Sequence, residues 1–570
     1  MMFKDRARSI LFVLATCWVV LFWQLGQTGL MDDEAHYAKL TQEMAAEGNW
    51  LVPWLNGEAF IDKPVFFHWV QGVAFALVPR GELAARLPSA VSALALLAGL
   101  AWVATRLAGA GAGRAAWLAL ITLPATLLLA RTGYMDMLFS ALLFGAVALI
   151  AVAMQTPSRI ARAGAVVCVA LAVLTKGPIA AGLIALWIGT VWLLGGASRR
   201  AVAGLRLWPN VLLVALIASP WFVWMFWQFG DQFVSGYFGG GHAGYLTPRN
   251  SASSSQETFY LRMFLTAFFP WSLIALGYGI DTVRRWWGGT SVPQWEVWLW
   301  LWIAVVLAVF TMVPFRVDRY IYPAAPACCL LAVRGWLLAS AATHWRDYAA
   351  TRAAVGVVAL ALVGGGVYLW TSLGDLNLPL APAAAILPAV LVVGGLGICA
   401  RMARAWHTLP GVEWPALTLV IAYAGAVHFA SPALRAGLPI EQVGRFVAAS
   451  SLPHEPVAFL GLDRWEMGLT YYLRTSPTRL RDATDAERFA STPGRRWMVT
   501  KPEWRDQIAT SGCVTFSVPA IVGTKGRGLR TQVWGDILVI QFDAATSFTN
   551  ETCLPPSTPR GSGSAPPSAP

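Results

Sequence analysis

The stretch GLMDDEAHYAKLT, residues 29–41, places three carboxylates and a histidine directly behind the first apolar run of the chain. Three consecutive acids, Asp32, Asp33 and Glu34, are followed after one residue by His36. Carboxylates and imidazole can transfer protons or bind a divalent ion. Acids are also favoured in the first turn of a helix, where they accept hydrogen bonds from free backbone N–H groups. The stretch therefore indicates a helix start, a chemical site, or both.

Further ionisable groups stand at the edges of other apolar runs. They are Asp62, Lys63, Asp136, Lys176, His242, Arg249, Arg316, Arg319 and the phenol of Tyr322. Lysine and arginine suit a phosphate group, whereas carboxylates and histidine suit a divalent metal or acid–base chemistry. Because an ionisable group at a membrane boundary is costly to desolvate, it indicates function more strongly there than on a soluble surface.

Each of these groups also has a structural interpretation. The alternatives are a pre-proline turn at 62–64 with Pro64 as the first helical residue, a helix cap at Asp136, a glycine-rich loop at His242, and lipid-headgroup anchors at Arg316 and Arg319. For Lys176 we favour an ammonium that extends to the membrane interface. The topology below gathers all of these groups at one face of the membrane, which favours a common site.

The composition indicates a membrane protein. The chain has 570 residues, of which 57% are hydrophobic and 13% are charged, whereas soluble domains have about 25% charged residues. About thirteen apolar runs are long enough to cross a bilayer as helices. They are centred near residues 17, 95, 122, 146, 169, 186, 219, 271, 304, 330, 363, 391 and 422. The sequence therefore predicts a multi-span α-helical membrane protein with about thirteen transmembrane helices.

The charge distribution predicts the orientation of these spans. With a cytoplasmic N-terminus, every loop assigned to the inside is basic, as the positive-inside rule requires. The acids are concentrated in the other loops, and an odd number of crossings places the C-terminus outside. We expect a bacterial inner-membrane protein whose C-terminal region is periplasmic. The net charge of +12 reflects this bias, so a nucleic-acid partner is not expected.

Two outer loops are unusually long. The first, residues 26–81, contains two stretches with helical spacing, 34–47 and 64–78, which we expect to form two interfacial helices. The second, residues 230–259, is rich in glycine and serine and is expected to be mobile.

The chain changes character after about residue 433. Residues 456–462, 495–501 and 536–542 have the pattern of buried strands, and residues 440–450 and 503–510 have helical spacing. We predict a transmembrane domain at 1–433, a small α/β domain at 434–553 and a disordered Pro/Ser/Gly tail at 554–570. An oxidising compartment would permit Cys513 and Cys553 to pair, and the sequence leaves that pairing open.

Several motifs, taken in order, resemble one family. The segment DDEAHYAKLTQEMAAEGNWLVPWLNGEAFIDKPVFFHW (32–69) carries the pattern D-E-x-x-Y-A, then G-[ND]-W, then an acid-K-P triplet and a tryptophan. Further matches are ELAARLPSA (82–90), ARTGYMDM (130–137), LTKG (174–177), SPWFVW (219–224), FFPWS (268–272) and YIYPAAP (320–326). The chain resembles, over about its whole length, the bacterial aminoarabinose transferases that modify lipid A. These enzymes have the GT-C fold and belong to the protein-mannosyltransferase-like superfamily.

The resemblance implies a membrane glycosyltransferase. Its donor would be a sugar on a polyprenyl phosphate, here 4-amino-4-deoxy-L-arabinose on undecaprenyl phosphate, and its acceptor would be a lipid A phosphate at the periplasmic face. The product would be cationic lipid A, which gives resistance to polymyxin and other antimicrobial peptides. Membrane lipids, the donor and lipid A or lipopolysaccharide are the partners implied.

The resemblance also implies roles for matching residues. The catalytic residues implied are Asp33, Asp136 and Glu34. The donor phosphate would be bound by Lys63, Arg249, Tyr322, Tyr37 and Arg316. A divalent ion, Zn, Mg or Mn, would be held by Asp62 and His242. Asp33 would orient an anionic acceptor or stabilise positive charge at the anomeric carbon, or act as general base for a hydroxyl acceptor.

Three departures from the family pattern concern the donor. Asp62 stands where glutamate is usual, His36 where an arginine commonly follows the D-E pair, and Phe60 where tyrosine is common. The enzyme alternative is therefore a GT-C transferase that moves galacturonic acid or a hexose to lipopolysaccharide or another envelope glycan. The non-enzyme alternative is a lipid-linked sugar flippase, which would need polar groups at mid-membrane rather than at one interface.

Overall fold

The chain folds into two compact units. The computed structural model describes residues 13–55, 58–79, 81–242, 258–373, 382–404, 409–462, 465–473, 475–509, 512–522 and 532–543. The first unit, here called the helical unit, comprises Met1–Gly26, Leu40–Thr371 and Pro382–His428. The second, here called the C-terminal unit, comprises Gln27–Lys39, Ser372–Ala381 and Phe429–Pro570. The predicted boundary near residue 433 is close to the observed one, whereas the assignment of two earlier segments to the C-terminal unit was not foreseen.

The first half of the chain is helical apart from one short hairpin. Its helices are α1 (Val13–Phe22), α2 (Asp32–Glu47), α3 (Phe66–Leu77), α4 (Gly81–Ala108), α5 (Ala110–Ile121), α6 (Pro124–Ala130), α7 (Met135–Gln155), α8 (Arg159–Lys176), α9 (Ile179–Leu193), α10 (Gly196–Ala203), α11 (Leu207–Phe229) and α12 (Asp231–Phe233). A π-helical segment, Val234–His242, follows α12 directly. The hairpin pairs β1 (Trp54–Leu55) with β2 (Glu58–Ala59).

The remainder of the helical unit has the same character. Its helices are α13 (Phe259–Ala267), α14 (Trp271–Trp287), α15 (Gln294–Met312), a 3-10 segment (Asp318–Ala324) that runs into α16 (Ala325–Ala341), α17 (Ala349–Ser372), α18 (Ile386–Arg404) and α19 (Glu413–Gly437). The last residues of α17 and α19 belong to the C-terminal unit.

The predicted spans all correspond to helices. By length and composition, eight described helices could cross a membrane, or up to ten spans if each of two bent pairs counts as one. The thirteen predicted centres fall on these ten and on α1, α8 and α9. Helices α1 and α9 are shorter than a full span, and α8 carries three basic residues within its 18. Helices α2 and α3 confirm the two predicted helices of the first loop, although α3 begins at Phe66 rather than at Pro64.

Two bends interrupt the apolar helices. Helices α5 and α6 meet at 70°, and α13 and α14 meet at 106°. In both cases a proline, Pro124 or Pro270, stands at the start of the second helix. Proline lacks the N–H that would continue the helical ladder, and it fits the first turn of a new helix. As a result α6 and α13 pack against each other and against the 3-10 segment Asp318–Ala324.

The C-terminal unit is an α/β fold, as predicted. Its sheet has the order β4-β3-β5-β7-β6, with β3 (Val457–Leu460) parallel to both neighbours and β7 antiparallel to β5 and β6. The other strands are β4 (Thr478–Leu480), β5 (Arg496–Thr500), β6 (Cys513–Val522) and β7 (Gln532–Phe542), and the helices are α20 (Ile440–Ser450), α21 (Trp465–Tyr472), α22 (Ala483–Ser491) and α23 (Pro502–Arg505).

The sequence located three of these strands and helix α20. The prediction missed β4, β6, α21 and α22, and it extended α23 to residue 510. Separate apolar clusters cover the two faces of the sheet. Cys513 is disulfide-bonded, and its expected partner at position 553, like the predicted tail 554–570, lies outside the described residues.

Candidate active site

The predicted site residues are divided between the two units. Asp33, Glu34 and Tyr37 belong to the C-terminal unit, although the rest of the first loop does not. The helical unit contains Asp62, Lys63, Asp136, Arg316 and Tyr322. Arg249 and the side chain of His242 lie outside the described residues. The structure therefore tests which residues meet within each unit, and a common site that includes Asp33, Lys63 and Asp136 stays a prediction.

Asp136 is the centre of a buried charge cluster. It is the second residue of α7 and is 4% exposed. Its Oδ1 accepts a hydrogen bond from Lys176 Nζ at 2.5 Å, and its Oδ2 accepts one from Arg319 Nε at 3.1 Å. A buried carboxylate is tolerated only when it is paired and hydrogen-bonded, and here both oxygens are. Asp136 is therefore held by two cations from distant parts of the chain.

The ends of three helical segments bring this cluster together. Asp136 lies in the first turn of α7, Lys176 is the last residue of α8, and Arg319 is the second residue of the 3-10 segment. Gly177 ends α8 with φ 92°, a left-handed conformation that favours glycine. The interpretation of Lys176 as a residue that extends to the interface is wrong, because its ammonium is buried against Asp136.

Aromatic rings cover the two cations. The ammonium of Lys176 lies 4.2 Å from the centroid of the Tyr320 ring and 5.4 Å from that of Phe139. The guanidinium of Arg319 lies 4.5 Å from the centroid of the Tyr134 ring. Such contacts attract a cation to the negative face of the ring and restrict its position. The charge cluster therefore has aromatic walls.

Lys63 contributes a third cation. Its Nζ donates to Asp62 Oδ2 at 2.6 Å, and the residue is 8% exposed. The charge of Lys63 also acts on Lys176, which places the two ammonium groups within electrostatic range of each other. Three cations, Lys63, Lys176 and Arg319, thus face two carboxylates. Fixed cations of this kind suit an anionic ligand such as a phosphate.

The described part of the second long loop packs next to Asp62. Gly236 approaches Ile61 so closely that a Cβ atom there would lie 2.2 Å from Ile61 Cδ1. The neighbouring Tyr237 is fully buried, and burial, with a smaller contribution from the charge of Asp62, raises the pKa of its phenol. The Tyr237 phenol therefore stays protonated next to the Asp62 carboxylate at neutral pH.

The described residues provide one carboxylate for the expected metal. Asp62 is 32% exposed at its side chain, and one of its oxygens already accepts from Lys63. Within the described ranges no group of three His, Cys, Asp or Glu side chains comes together. A structural zinc site needs four protein ligands, whereas magnesium is commonly held by one or two carboxylates plus substrate phosphate. A single described carboxylate does not make up a metal site, and the expected ion stays a prediction.

Tyr322 occupies a different place from the one expected for a phosphate-binding residue. It is 1% exposed, its hydroxyl is hydrogen-bonded to Thr126 Oγ1 at 2.7 Å, and its ring packs against Phe268. In the same YIYP motif it is Tyr320 that reaches the charge cluster. Both tyrosines precede the same proline, so the motif by itself could not indicate which one faces the site.

Arg316 lies beside Tyr260 rather than among the residues that bind Asp136. The charge of Arg316 acts on the Tyr260 phenol, and that phenol donates to the Val317 carbonyl oxygen at 3.2 Å and accepts from the Val317 N–H at 3.1 Å. These contacts fix the chain that leads into Arg319. Arg316 is thus close to Arg319 in the chain, but the two cations that bind Asp136 are Lys176 and Arg319.

In the C-terminal unit, Glu34 acts as a helix cap. Its Oε1 accepts a hydrogen bond from the Met31 N–H at 3.3 Å, the geometry of the acidic residue in a capping box. Glu34 is 4% exposed, and its predicted catalytic role stays a prediction. Asp33 is partly exposed in the same first turn. Tyr37 is buried and meets the ring of His36 edge-on, with centroids 6.0 Å apart.

His68 is a buried residue for which no role was predicted. Its Nδ1 is hydrogen-bonded to Thr41 Oγ1 at 2.8 Å, and the same hydroxyl donates to Gln71 Oε1 at 2.6 Å. Gln71 in turn donates to the Ala85 carbonyl oxygen at 2.9 Å. This network ties α2 to α3 and α4, and α3 carries the Asp62–Lys63 turn at its start. A histidine at helical spacing from glutamine was the only local indication.

The chain is similar to known membrane glycosyltransferases. Residues 62–224 match the family model of dolichyl-phosphate-mannose-protein mannosyltransferase. The undecaprenyl phosphate-α-4-amino-4-deoxy-L-arabinose arabinosyl transferase 1 of Proteus mirabilis is 27% identical over 335 residues, 56% of this chain and 58% of that protein. The corresponding transferase of Shewanella sediminis is 26% identical over 351 residues, 58% of this chain and 60% of that protein. The chain thus spans less than two thirds of these relatives in the matched regions.

The structural similarity covers more of the chain than the sequence similarity does. The crystal structure of ArnT from Cupriavidus metallidurans bound to undecaprenyl phosphate matches with a TM-score of 0.72 at 20% identity, over 93% of this chain and 97% of that one. The apo structure of the same protein matches with a TM-score of 0.73 at 19% identity. The resemblance inferred from the motifs and the GT-C fold that it implied are both confirmed.

Proposed function

We propose that this protein is an inner-membrane glycosyltransferase that moves 4-amino-4-deoxy-L-arabinose from undecaprenyl phosphate to a lipid A phosphate. The observation that carries the proposal is the cationic cluster of Lys63, Lys176 and Arg319 around Asp136, which lies largely within the region matched by the mannosyltransferase family model. The names of the relatives and the undecaprenyl phosphate bound by the structural neighbour support the donor.

The chemistry requires stabilisation of a leaving phosphate. When the bond between the sugar and the donor phosphate breaks, negative charge develops on that phosphate, and fixed cations lower the barrier by stabilising it. Lys63 is proposed as the residue that contacts the phosphate, because it is a cation that is ion-paired with a partly exposed carboxylate, that of Asp62. Lys176 and Arg319 are bound to Asp136, so they contribute positive potential and hold the site together.

Asp33 is proposed as the residue that acts on the acceptor or the sugar. An acceptor phosphate is already anionic and needs little deprotonation, so Asp33 would orient it or stabilise positive charge at the anomeric carbon. With a hydroxyl acceptor Asp33 would be the general base. Support for Asp33 comes from the motif resemblance and from its partial exposure in the first turn of α2.

A divalent ion is proposed at Asp62 and His242 on the resemblance alone. When bound, such an ion would help to neutralise the donor phosphate. Arg249 and Tyr37 are kept as proposed donor-binding residues on the same ground. The membrane orientation, with the N-terminus cytoplasmic and the C-terminal unit periplasmic, is also a proposal and rests on the positive-inside bias.

The test is a transfer assay with undecaprenyl phosphate-linked aminoarabinose and lipid A, comparing the wild type with Asp33→Asn and Lys63→Ala. We expect both variants to fold and to lose at least ~99% of turnover, the scale expected when an electrostatic group is removed from an active site. Full turnover by both folded variants would overturn the site. Lipid A from cells with and without the gene, examined by mass spectrometry, would identify the sugar. A mass increment of a hexose or galacturonic acid would keep the reaction class and reject aminoarabinose.

The alternative function is transport of a lipid-linked sugar. A flippase would move the donor across a bilayer without forming a glycosidic bond. Movement of a labelled donor in proteoliposomes, with no modified lipid A under any condition, would reject the transferase.

A further inference from the structure

The segment that carries Asp33 is built into the C-terminal unit. Residues Gln27–Lys39 cluster with that unit, although its main part begins only at Phe429. Leu30 is fully buried, and Met31 packs against the apolar cluster that contains Ile440 and Val443 of α20. The C-terminal domain therefore includes a short piece of the first loop in its own core.

Two hydrogen bonds from adjacent residues of the domain hold this segment on either side of Asp33. The Leu30 N–H donates to the Tyr472 hydroxyl at 3.1 Å, and Lys39 Nζ donates to the Leu473 carbonyl oxygen at 3.3 Å. Tyr472 is the last residue of α21, and Leu473 follows it. The two bonds lie three residues before Asp33 and six residues after it. They hold the chain two residues before α2 and at the end of the second turn of α2.

Small residues allow the close approach. A Cβ atom at Gly468 would lie 2.8 Å from the Leu30 carbonyl oxygen, and one at Gly29 would lie 3.3 Å from the Tyr472 hydroxyl. Tyr472 also packs closely against α20, because a Cβ atom at Gly444 would lie only 2.6 Å from the Cβ atom of Tyr472. The tyrosine is thus set in a fixed position before it binds the segment.

We propose that the C-terminal domain positions the Asp33 segment for the transfer reaction and that Tyr472 is a positioning residue in it. The proposal rests on the function proposed above. The position of an aspartate in the first turn of a helix depends on the conformation of the residues that precede the helix. A loss of about 1 Å in placement is enough to lower the rate of a positioned reaction strongly. Anchoring residues 30 and 39 removes that freedom.

The test uses the full-length protein in lipid nanodiscs and the variant Tyr472→Phe. This change removes one hydroxyl and keeps the ring, which also contacts Tyr471 and lies 5.7 Å from the guanidinium of Arg445. Hydrogen exchange of a peptide covering residues 27–39 should become faster. With undecaprenyl phosphate-linked aminoarabinose and lipid A, kcat should fall about three- to ten-fold, as expected for one neutral hydrogen bond, while KM for the donor stays unchanged.

Ser517→Ala is the matched control, because it also removes one hydroxyl hydrogen bond of this domain, that to Asp536 Oδ2, away from the segment. It should leave both the exchange of residues 27–39 and kcat at wild-type values. Lys39→Met tests the second anchor with the side-chain stem retained, and it should act like Tyr472→Phe.

Three outcomes test the proposed positioning role of Tyr472. Unchanged exchange in Tyr472→Phe would show that the domain does not hold the segment. Faster exchange with kcat equal to that of Ser517→Ala would reject the positioning role. If the wild type transfers no sugar from this donor, the proposed function fails, and the exchange measurement by itself still decides whether Tyr472 holds the segment.

Discussion

Asp136 binds Lys176 through one carboxylate oxygen and Arg319 through the other, at 2.5 and 3.1 Å. Because the two cations come from different helical segments, one carboxylate fixes the relative positions of α7, α8 and the start of the 3-10 segment. The same contacts pair both cations, so neither is left unpaired in a buried site, and the charge of Lys63 acts on Lys176. Asp136 is in this sense both a structural residue and part of the electrostatics of the site.

Replacing Lys176 should damage stability and activity together. Lys176→Met keeps the apolar stem and removes the charge, so Asp136 loses one of two partners. The free energy of unfolding should fall by about 3 kcal/mol, the cost of breaking a buried pair from one side, and transfer should fall about 100-fold. Denaturant unfolding and the transfer assay measure the two effects.

The double variant Asp136→Asn with Lys176→Met separates the two roles. It removes the buried carboxylate that Lys176→Met leaves with a single partner, so stability should recover in part relative to Lys176→Met, while transfer should stay low. Recovery of transfer along with stability would show that the pair serves the fold only.

Lys63→Met should act mainly on the donor. Its pair with Asp62 is partly exposed, so the free energy of unfolding should change by less than about 1 kcal/mol. Loss of a charged hydrogen bond to a phosphate should raise KM for the donor about 10- to 100-fold. Lys501→Met, a lysine of the C-terminal unit paired with Glu503, is the control. Equal KM values in the two variants would contradict the assignment of Lys63.

The two tyrosines of the YIYP motif should respond differently. Tyr320→Leu removes the ring that lies over Lys176 and should lower transfer about ten-fold with little loss of stability. Tyr322→Phe removes the hydrogen bond to Thr126 and should lower the free energy of unfolding by about 1 kcal/mol with transfer preserved. The reverse pattern would restore Tyr322 as the residue of the site.

Substitutions of Asp33 and Glu34, the neighbouring acids in the first turn of α2, should have different effects. Glu34→Ala removes the cap on the Met31 N–H and should lower the free energy of unfolding by about 1 kcal/mol while most of the turnover remains. Asp33→Asn should leave stability unchanged and abolish most of the transfer. Measuring kcat and unfolding for both variants in parallel checks this, and a catalytic defect in Glu34→Ala larger than that of Asp33→Asn would reverse the assignment.

The proposed divalent ion can be tested by metal content as well as by activity. Purified wild-type protein should retain a divalent metal in elemental analysis, and Asp62→Asn and His242→Ala should each lower its amount. Chelation should reduce transfer by the wild type, and Mg, Mn or Zn should restore it. Transfer that is insensitive to chelation in metal-free protein would remove the ion from the proposal.

Much of the architecture followed from local features of the sequence. All thirteen predicted spans coincide with helices, because a run of apolar side chains needs no distant partner to form a helix in a membrane. The start of α2 was expected at the acids around Asp33, because capping is decided within four residues. The strands β3, β5 and β7 were found for the same reason, since alternation and β-branching are local.

The tertiary structure decided which ends of the helical segments lie next to each other. Asp136 is 40 residues from Lys176 and 183 from Arg319, and no local pattern relates them, so Lys176 was interpreted as an interface residue. Whether Tyr320 or Tyr322 faces the site depends on the rotation of one short 3-10 segment. The inclusion of residues 27–39 in the C-terminal unit depends on packing against α20 and α21. Composition and periodicity determined the elements and the kind of chemistry, whereas contacts between residues far apart in the chain arise only when the helices pack.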